Sequence, residues 1–224
     1  MRKAVIIVAG GAGSRMGGEL PKQYLELLGK PLIVHALETF LRFDASIEVV
    51  VVIAPSHLDY WNTISDKYKF VSGLTVAHGG KCRYDSVKNG LEHVADGMVV
   101  GIHDAVRPLV SQGTLERSYA EAVRWGSGIP VIALDDSVRM LDTAEGSTMV
   151  DRTLLRRVQT PQVFQSALIK QAYQQFTDPA FTDDASVYES LFGHVKLVEG
   201  NPENIKITTP ADLKLAMALI QSLD

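Results

Sequence analysis

Val5-Ile6-Ile7-Val8-Ala9-Gly10-Gly11-Ala12-Gly13-Ser14-Arg15-Met16-Gly17-Gly18, with Pro21-Lys22-Gln23 close behind, is the stretch on which the fold turns. Val5 to Val8 are apolar and β-branched without alternation, the pattern of a strand buried on both faces of a parallel sheet. Five glycines then fall within nine positions, Gly10 to Gly18. Glycine permits positive φ and lets a ligand approach bare backbone N–H groups. Arg15 inside the loop and Lys22 just beyond it add fixed positive charge. A strand that opens into a collar of N–H donors with two cations reads as a phosphate site; the plain alternative is an ordinary strand-to-helix turn.

Two common phosphate loops are excluded by spacing. A dinucleotide fingerprint starting at Gly11 meets Met16 where its third glycine belongs. A Walker loop starting at Gly13 reaches Gly18 and then offers Glu19-Leu20 in place of Lys and Ser/Thr.

Reading outward, strands alternate with helices, which predicts an open, doubly wound, mostly parallel sheet. The spacing predicts helices from Pro31 to about Arg42, His57 to Tyr68 (capped by Ser56), Arg83 to His93, Ser111 to Trp125, Ser166 to Phe176 and Asp184 to Phe192, and a last one from Pro210. Strands are expected at Glu48–Ile53, Leu74–Ala77, Met98–Ile102, Gly128–Ala133, Val195–Val198 and Ile205–Ile207. The alternation breaks at Asp135 to Val150, where two short strands flank a polar turn. An isolated hairpin is marginal in water, so this one is expected to lie against its own domain or a second subunit.

The 224 residues suit one α/β domain, residues 1–224, with a β-arm at about 135–152. Hydrophobic residues make up 46% and charged residues 21%, enough for a full core, and the net charge of −4 argues against nucleic acid as partner. Any anionic ligand must then be held by cations gathered locally. A single cysteine, Cys82, excludes an internal disulfide framework. The apolar run after Lys3 is too short for a signal segment, and no stretch approaches the ~20 residues of a membrane span; a cytoplasmic protein is expected.

Ligands of open parallel sheets bind beyond the carboxyl ends of the strands. Six cations fall at such ends: Arg15 and Lys22, Arg83 after Gly79-Gly80, Arg107 in His103-Asp104-Ala105-Val106-Arg107-Pro108, Arg152 after the hairpin, and Lys206. Each alone is unremarkable as a solvated charge. Together they match a nucleoside triphosphate (about −4) and a phosphomonoester (about −2) meeting in one cleft. Asp104 suits a ribose hydroxyl or a Mg²⁺ ion, or simply a turn cap. His103 reads as structural, Trp61 and Trp125 as core or interface. Ser14 lacks a nucleophile elbow, and the histidines show no metal-ligand spacing.

The blocks Ala9-Gly10-Gly11-Ala12-Gly13-Ser14-Arg15-Met16, Pro21-Lys22-Gln23-Tyr24, Gly79-Gly80 with Arg83-Tyr84-Asp85-Ser86-Val87, His103 to Pro108, Val150-Asp151-Arg152, Gln159-Thr160-Pro161-Gln162, Thr182-Asp183-Asp184-Ala185 and Asn204 to Thr208 cover the chain in order. In these blocks the chain resembles the 2-C-methyl-D-erythritol 4-phosphate cytidylyltransferase family of the non-mevalonate isoprenoid pathway. The resemblance implies a Rossmann-like sheet of the nucleotide-diphospho-sugar transferase type with a protruding β-hairpin arm. It also implies transfer of a cytidylyl group from CTP to an alditol phosphate with Mg²⁺, and a homodimer joined through the arm.

By the same resemblance Arg15, Lys22, Arg152 and Lys206 serve catalysis. Ala9, Gly10, Gly11, Gly13, Gly80, Arg83, Ser86, Asp104 and Ala105 would hold the nucleotide. Arg107, Ser137, Thr160 and Thr182 would hold the alcohol phosphate, together with Arg152 and Lys206. Mg²⁺ would come mainly through the CTP phosphates, with Asp104 as its one protein candidate.

Two departures stand out. Lys81 and Cys82 replace acidic residues, and Val8-Ala9-Gly10-Gly11 replaces Pro-Ala-Ala-Gly, a form shared with ribitol 5-phosphate cytidylyltransferases. That sister activity, a sugar-1-phosphate nucleotidyltransferase and a non-catalytic nucleotide-binding module are the competing readings.

Overall fold

Beyond Lys3–Ala9 (β1) the chain repeatedly crosses back to the same sheet. The computed structural model describes residues 1–10, 21–142, 146–176 and 181–221. After β1 come a two-residue hairpin, Glu26–Leu27 (β2) and Lys30–Pro31 (β3), and the helix Leu32–Phe43 (α1). Glu48–Ile53 (β4), Leu58–Lys67 (α2), Thr75–His78 (β5), Arg83–Leu91 (α3), Val99–Asp104 (β6), Gln112–Trp125 (α4) and Ser127–Ala133 (β7) follow. The arm is Val138–Leu141 (β8) with Ser147–Val150 (β9), an antiparallel pair. Arg156–Val158 (β10), Gln162–Gln165 (β11), Ser166–Gln175 (α5), Asp184–Phe192 (α6), Leu197–Glu199 (β12) and Pro210–Gln221 (α7) complete the described chain.

The main sheet runs β10-β7-β11-β6-β1-β4-β5, with β12 also paired to β7. β1, β4, β5 and β6 are parallel, and β12 is parallel to β7. β11 is antiparallel to both β6 and β7, and β10 to β7. The sheet is therefore mostly parallel, as expected, with two reversed strands that the periodicity did not reveal.

Alternation along β1 decides the layering. Val5, Ile7 and Ala9 join one core with α1, α2 and α4, while Ala4 and Ile6 join the other with α3, α5 and α6. Val5, Ile6 and Ile7 are fully buried, each contributing roughly 1.5–3 kcal/mol relative to exposure. The same alternation governs the end of β6. His103 turns into the α1 layer, its ring centroid 5.0 Å from that of Phe40, whereas Asp104 faces the α3 side.

Local signals explain the helix ends. Ser111 caps α4 by accepting from the Thr114 N–H, and Gly126, at φ 88°, closes it in the left-handed region. Asp183 caps α6 by accepting from the Ser186 N–H. Two local expectations are corrected. Ser56 does not cap α2, whose N-cap is His57 without a side-chain bond. Ile205 to Ile207 forms no strand, because the Asn204 and Ile205 N–H groups close turns onto Asn201 and Glu203 carbonyls; only Ile207 N–H reaches across, to Val106 O at 2.9 Å. Trp61 is core, but Trp125 is 55% exposed beneath Arg124 and Lys196.

Candidate active site

β1 sends its crossover to β4 on one side, and the chain later returns to β6 on the other, so the strand order reverses beside β1. A crevice must open where two neighbouring strands send their connections apart. At that place lies a cleft of about 320 Å³ whose lining includes Ala9, Gly10, Lys22, Gly80, Lys81, Cys82, Arg83, Ser86, Asp104 and Lys206. Residues from five separate stretches of sequence converge there. The sequence candidates Gly11, Gly13 and Arg15 lie outside the described residues.

Close packing shapes the nucleotide end. The Ser86 hydroxyl donates to Cys82 O (2.9 Å) and accepts from Gly80 N–H (3.0 Å), tying the Gly79-Gly80 turn to the start of α3. A Cβ on Gly80 would stand 2.1 Å from the Asp85 Cβ, so no larger residue fits without moving the helix. Buried Gln23 donates its amide to Ala9 O at 2.8 Å, fixing the segment that carries Lys22 against the end of β1. Gln23 was not among the sequence candidates; its burial so soon after the glycine loop follows only from the tertiary contact.

Charge is concentrated around Asp104. Its carboxylate lies 2.8 Å from Lys206 Nζ, 3.5 Å from Arg83 Nε and 3.6 Å from Arg107 Nε. Burial acts to raise its pKa, but Arg83, Lys206 and Arg107 outweigh that and hold the group well below the ordinary carboxylate range. Ala105 extends the β6 end, its N–H bonded to Val8 O. Arg107 also donates to Asn204 O at 2.7 Å, which braces the loop that carries Lys206.

Thr160 is buried, and its hydroxyl is shared between the Asp104 N–H (3.1 Å) and His103 Nδ1 (3.1 Å). His103 Nε2 lies 3.0 Å from Arg107 O, which can only accept, so Nε2 carries the proton and Nδ1 accepts from Thr160. Burial pushes the His103 pKa down to about 4. This histidine is a structural strut under Asp104, as its reading predicted.

The remaining candidates stand apart from the cleft in the single chain. Ser137 and Arg152 are exposed at the base of the arm, where an Arg152 N–H donates to Asp135 O. Thr182 is exposed just before α6. Among the described residues no group of three or more His, Cys, Asp or Glu side chains is placed to hold a metal. Asp104 is the one carboxylate among the described lining residues, and three cations already neutralise it. Its surroundings repel a divalent ion, so the described lining residues do not fit Mg²⁺ without oxygens brought by a ligand.

A family model for 2-C-methyl-D-erythritol 4-phosphate cytidylyltransferase matches residues 3–222. A protein of that name from Bacteroides fragilis is 50% identical over 220 residues, covering 98% of this chain and 100% of its own. One from Porphyromonas gingivalis is 44% identical, covering 99% of each. Among solved structures, the Thermus thermophilus protein of the same name is 32% identical with a TM-score of 0.75, covering 97% of this chain and 98% of its own. The 4-diphosphocytidyl-2C-methyl-D-erythritol synthase of Anaerococcus prevotii gives a TM-score of 0.81 at 28% identity over 98% of each chain. Since both the model and these relatives span nearly every residue, including the stretches that converge on the cleft, the chain belongs to the 2-C-methyl-D-erythritol 4-phosphate cytidylyltransferase family.

Proposed function

We propose that the cleft joins CTP to 2-C-methyl-D-erythritol 4-phosphate, giving 4-diphosphocytidyl-2-C-methyl-D-erythritol and pyrophosphate in isoprenoid precursor synthesis. The observation that carries this reading is the convergence of Lys22, Arg83 and Lys206 with the Gly10 and Gly80 backbone at the strand-order reversal. An oxygen of the alcohol phosphate attacks the α-phosphorus of CTP. That P–O bond forms while the bond from the α-phosphorus to the β-bridging oxygen breaks, and pyrophosphate departs with the electron pair.

The attacking oxygen is already anionic, so no general base is needed. The barrier lies in bringing two anions together and in the charge that builds at the α-phosphorus. Fixed cations meet both demands by positioning and by preorganised electrostatics. In this assignment Arg15 and Lys22 face the α-phosphate, and Arg152 and Lys206 the incoming phosphate. Arg107, Ser137, Thr160 and Thr182 shape the alcohol-phosphate end, and Ala9, Gly10, Gly11, Gly13, Gly80, Arg83, Ser86, Asp104 and Ala105 the nucleotide end. Mg²⁺ would be held mainly by the triphosphate oxygens, since the described cleft residues offer it only Asp104, and there it would supply positive charge opposite the β- and γ-phosphates.

The arm supports a homodimer. Met140, Leu141, Met149 and Leu154 are 62%, 82%, 80% and 80% exposed, and a two-stranded hairpin needs something to lie on. A partner's cleft would receive Arg152 from that arm. Sedimentation of the wild-type chain as a monomer at enzyme-assay concentrations contradicts this arrangement. Among the described residues no helix is long and apolar enough to cross a membrane, and one unpaired cysteine suits the reducing cytoplasm.

Pyrophosphate release decides the reaction. CTP with methylerythritol 4-phosphate should give the fastest release, ahead of ribitol 5-phosphate and ahead of ATP, GTP or UTP. Faster turnover of ribitol 5-phosphate would transfer the chain to the sister activity, and no release with any pair would leave a binding module.

A further inference from the structure

Arg83 is the first residue of α3, and its side chain reaches two carboxylates from opposite directions. Nη1 and Nη2 donate to the two oxygens of Asp184 at 2.9 and 2.7 Å, a bidentate pairing between residues 101 positions apart. Nε faces Asp104 at 3.5 Å. Asp184, in the first turn of α6, is fully buried and takes a third bond, 2.7 Å, from the Tyr173 hydroxyl of α5. Burial acts to lower the Arg83 pKa, but Asp184 and Asp104 together raise it above the ordinary guanidinium value.

A buried ion pair of this kind is poor evidence of stabilisation, since apolar residues of similar volume often do as well. Its consequence is orientation. Without Asp184 the guanidinium is free to turn its own fork onto Asp104, displacing Lys206 and Arg107 from that carboxylate. With Asp184 gripping Nη1 and Nη2, only the Nε edge faces Asp104, and the three cations remain spread around it. A guanidinium has five N–H donors, and the two carboxylates engage three of its N–H edges while the residue lines the cleft.

We propose that Asp184 is a positioning residue for the nucleotide: held by Tyr173, it sets the plane of Arg83 and thereby the placement of Asp104 at the nucleotide end of the cleft. This rests on the cytidylyl-transfer reading above. Sequence inspection singled out the Thr182-Asp183-Asp184 run but assigned only Thr182. In the fold Asp183 caps the helix, Asp184 turns inward to Arg83, and Gln162 secures the pair of turns by donating to Asp183 (2.7 Å) and accepting from Ala185 N–H (2.8 Å).

The test is a cycle of full-length variants, Asp184→Asn, Arg83→Ala and the double change, with Tyr173→Phe alongside. CTP affinity is measured by calorimetry without the second substrate, and KM and kcat by pyrophosphate release. Asp184→Asn should weaken CTP binding and raise KM for CTP roughly tenfold, with kcat and KM for the alcohol phosphate changed by less than about threefold. Tyr173→Phe should shift CTP affinity in the same direction by a smaller factor. In the Arg83→Ala background, Asp184→Asn should cause no further loss of CTP affinity; a merely structural aspartate would lower melting temperature and act equally in both backgrounds.

Unchanged CTP affinity in Asp184→Asn, or an equal loss with and without Arg83, overturns the proposal. If Asp184→Asn does not melt cooperatively, Tyr173→Phe decides, and wild-type CTP affinity in that variant overturns it. Wild-type protein that fails to bind CTP refutes this inference and the reaction together. Wild-type turnover of CTP with an unaffected Asp184→Asn refutes the inference alone.

Discussion

Replacing Asp104 by Asn removes one negative charge from a cluster of three cations, Arg83, Arg107 and Lys206, and two carboxylates, Asp104 and Asp184. Removing one partner of a fully buried pair costs about 3–5 kcal/mol. Two features reduce that here. The Lys206 side chain is 42% exposed, so its share is screened as at a surface, and Arg83 keeps Asp184. Arg107, at 12% side-chain exposure, is left with the Asn204 carbonyl alone for compensation.

A net loss of about 2 kcal/mol is expected, or roughly 4–8 °C in melting temperature for a chain of this size. The pH dependence follows from the depressed Asp104 pKa. A carboxylate whose folded pKa lies below its unfolded value stabilises fully above about pH 4, and the contribution falls by about 1.4 kcal/mol per unit below that. The gap between wild type and Asp104→Asn should therefore hold steady from pH 7 to about pH 4 and narrow progressively as the pH falls further. Urea melts across that range measure it, and added pyrophosphate should raise the variant's stability more than the wild type's because an anion replaces the missing charge. Equal stability at pH 7, or a gap that persists unchanged in acid, refutes the electrostatic account of the cluster.

Lys22→Ala, and separately Arg15→Ala, should lower kcat roughly 10²-fold, the size of one lost preorganised donor; single-turnover rates close to wild type would remove either from the chemistry. Lys206→Ala and Arg152→Ala should raise KM for the alcohol phosphate more than KM for CTP, and steady-state kinetics giving equal increases would contradict their placement at that phosphate. His103, held neutral at a pKa of about 4 by burial, makes the folded protein bind fewer protons than the unfolded chain below about pH 6.5. Stability from this group is present above pH 6.5 and is lost as pH falls toward 4, by up to about 3 kcal/mol. His103→Gln should flatten the melting-temperature profile over that interval, and an unaltered slope would show that His103 is not its source.

The periodic parts of this fold are written locally. Val5 to Val8 and Glu48 to Ile53 declare buried strands because nothing else satisfies continuous β-branched runs. Ser111, Asp183 and Gly126 mark helix ends because capping needs only a few neighbouring residues. The alternation of those elements already implies a parallel sheet with a crevice where its order reverses, and so places Gly10, Gly80 and Asp104 at one end of it. β10 and β11 escaped notice because three or four residues carry too little pattern to separate strand from loop; their pairing with β7 and β6 depends on partners already in place. Ile205 to Ile207 has the composition of a strand, yet the Asn204 and Ile205 N–H groups close turns and only the Ile207 N–H bonds across, to Val106 O.

Charge pairing is the part that sequence does not encode. Which way Asp104 and His103 turn is decided by the β6 pleat, and Asp184 meets Arg83 only once α6 and α3 are packed together. Local preference acts over one turn or one strand. An ion pair spanning a hundred residues exists only after the sheet has closed the distance, and it is that packing which gathers Arg83, Arg107 and Lys206 from distant stretches around Asp104.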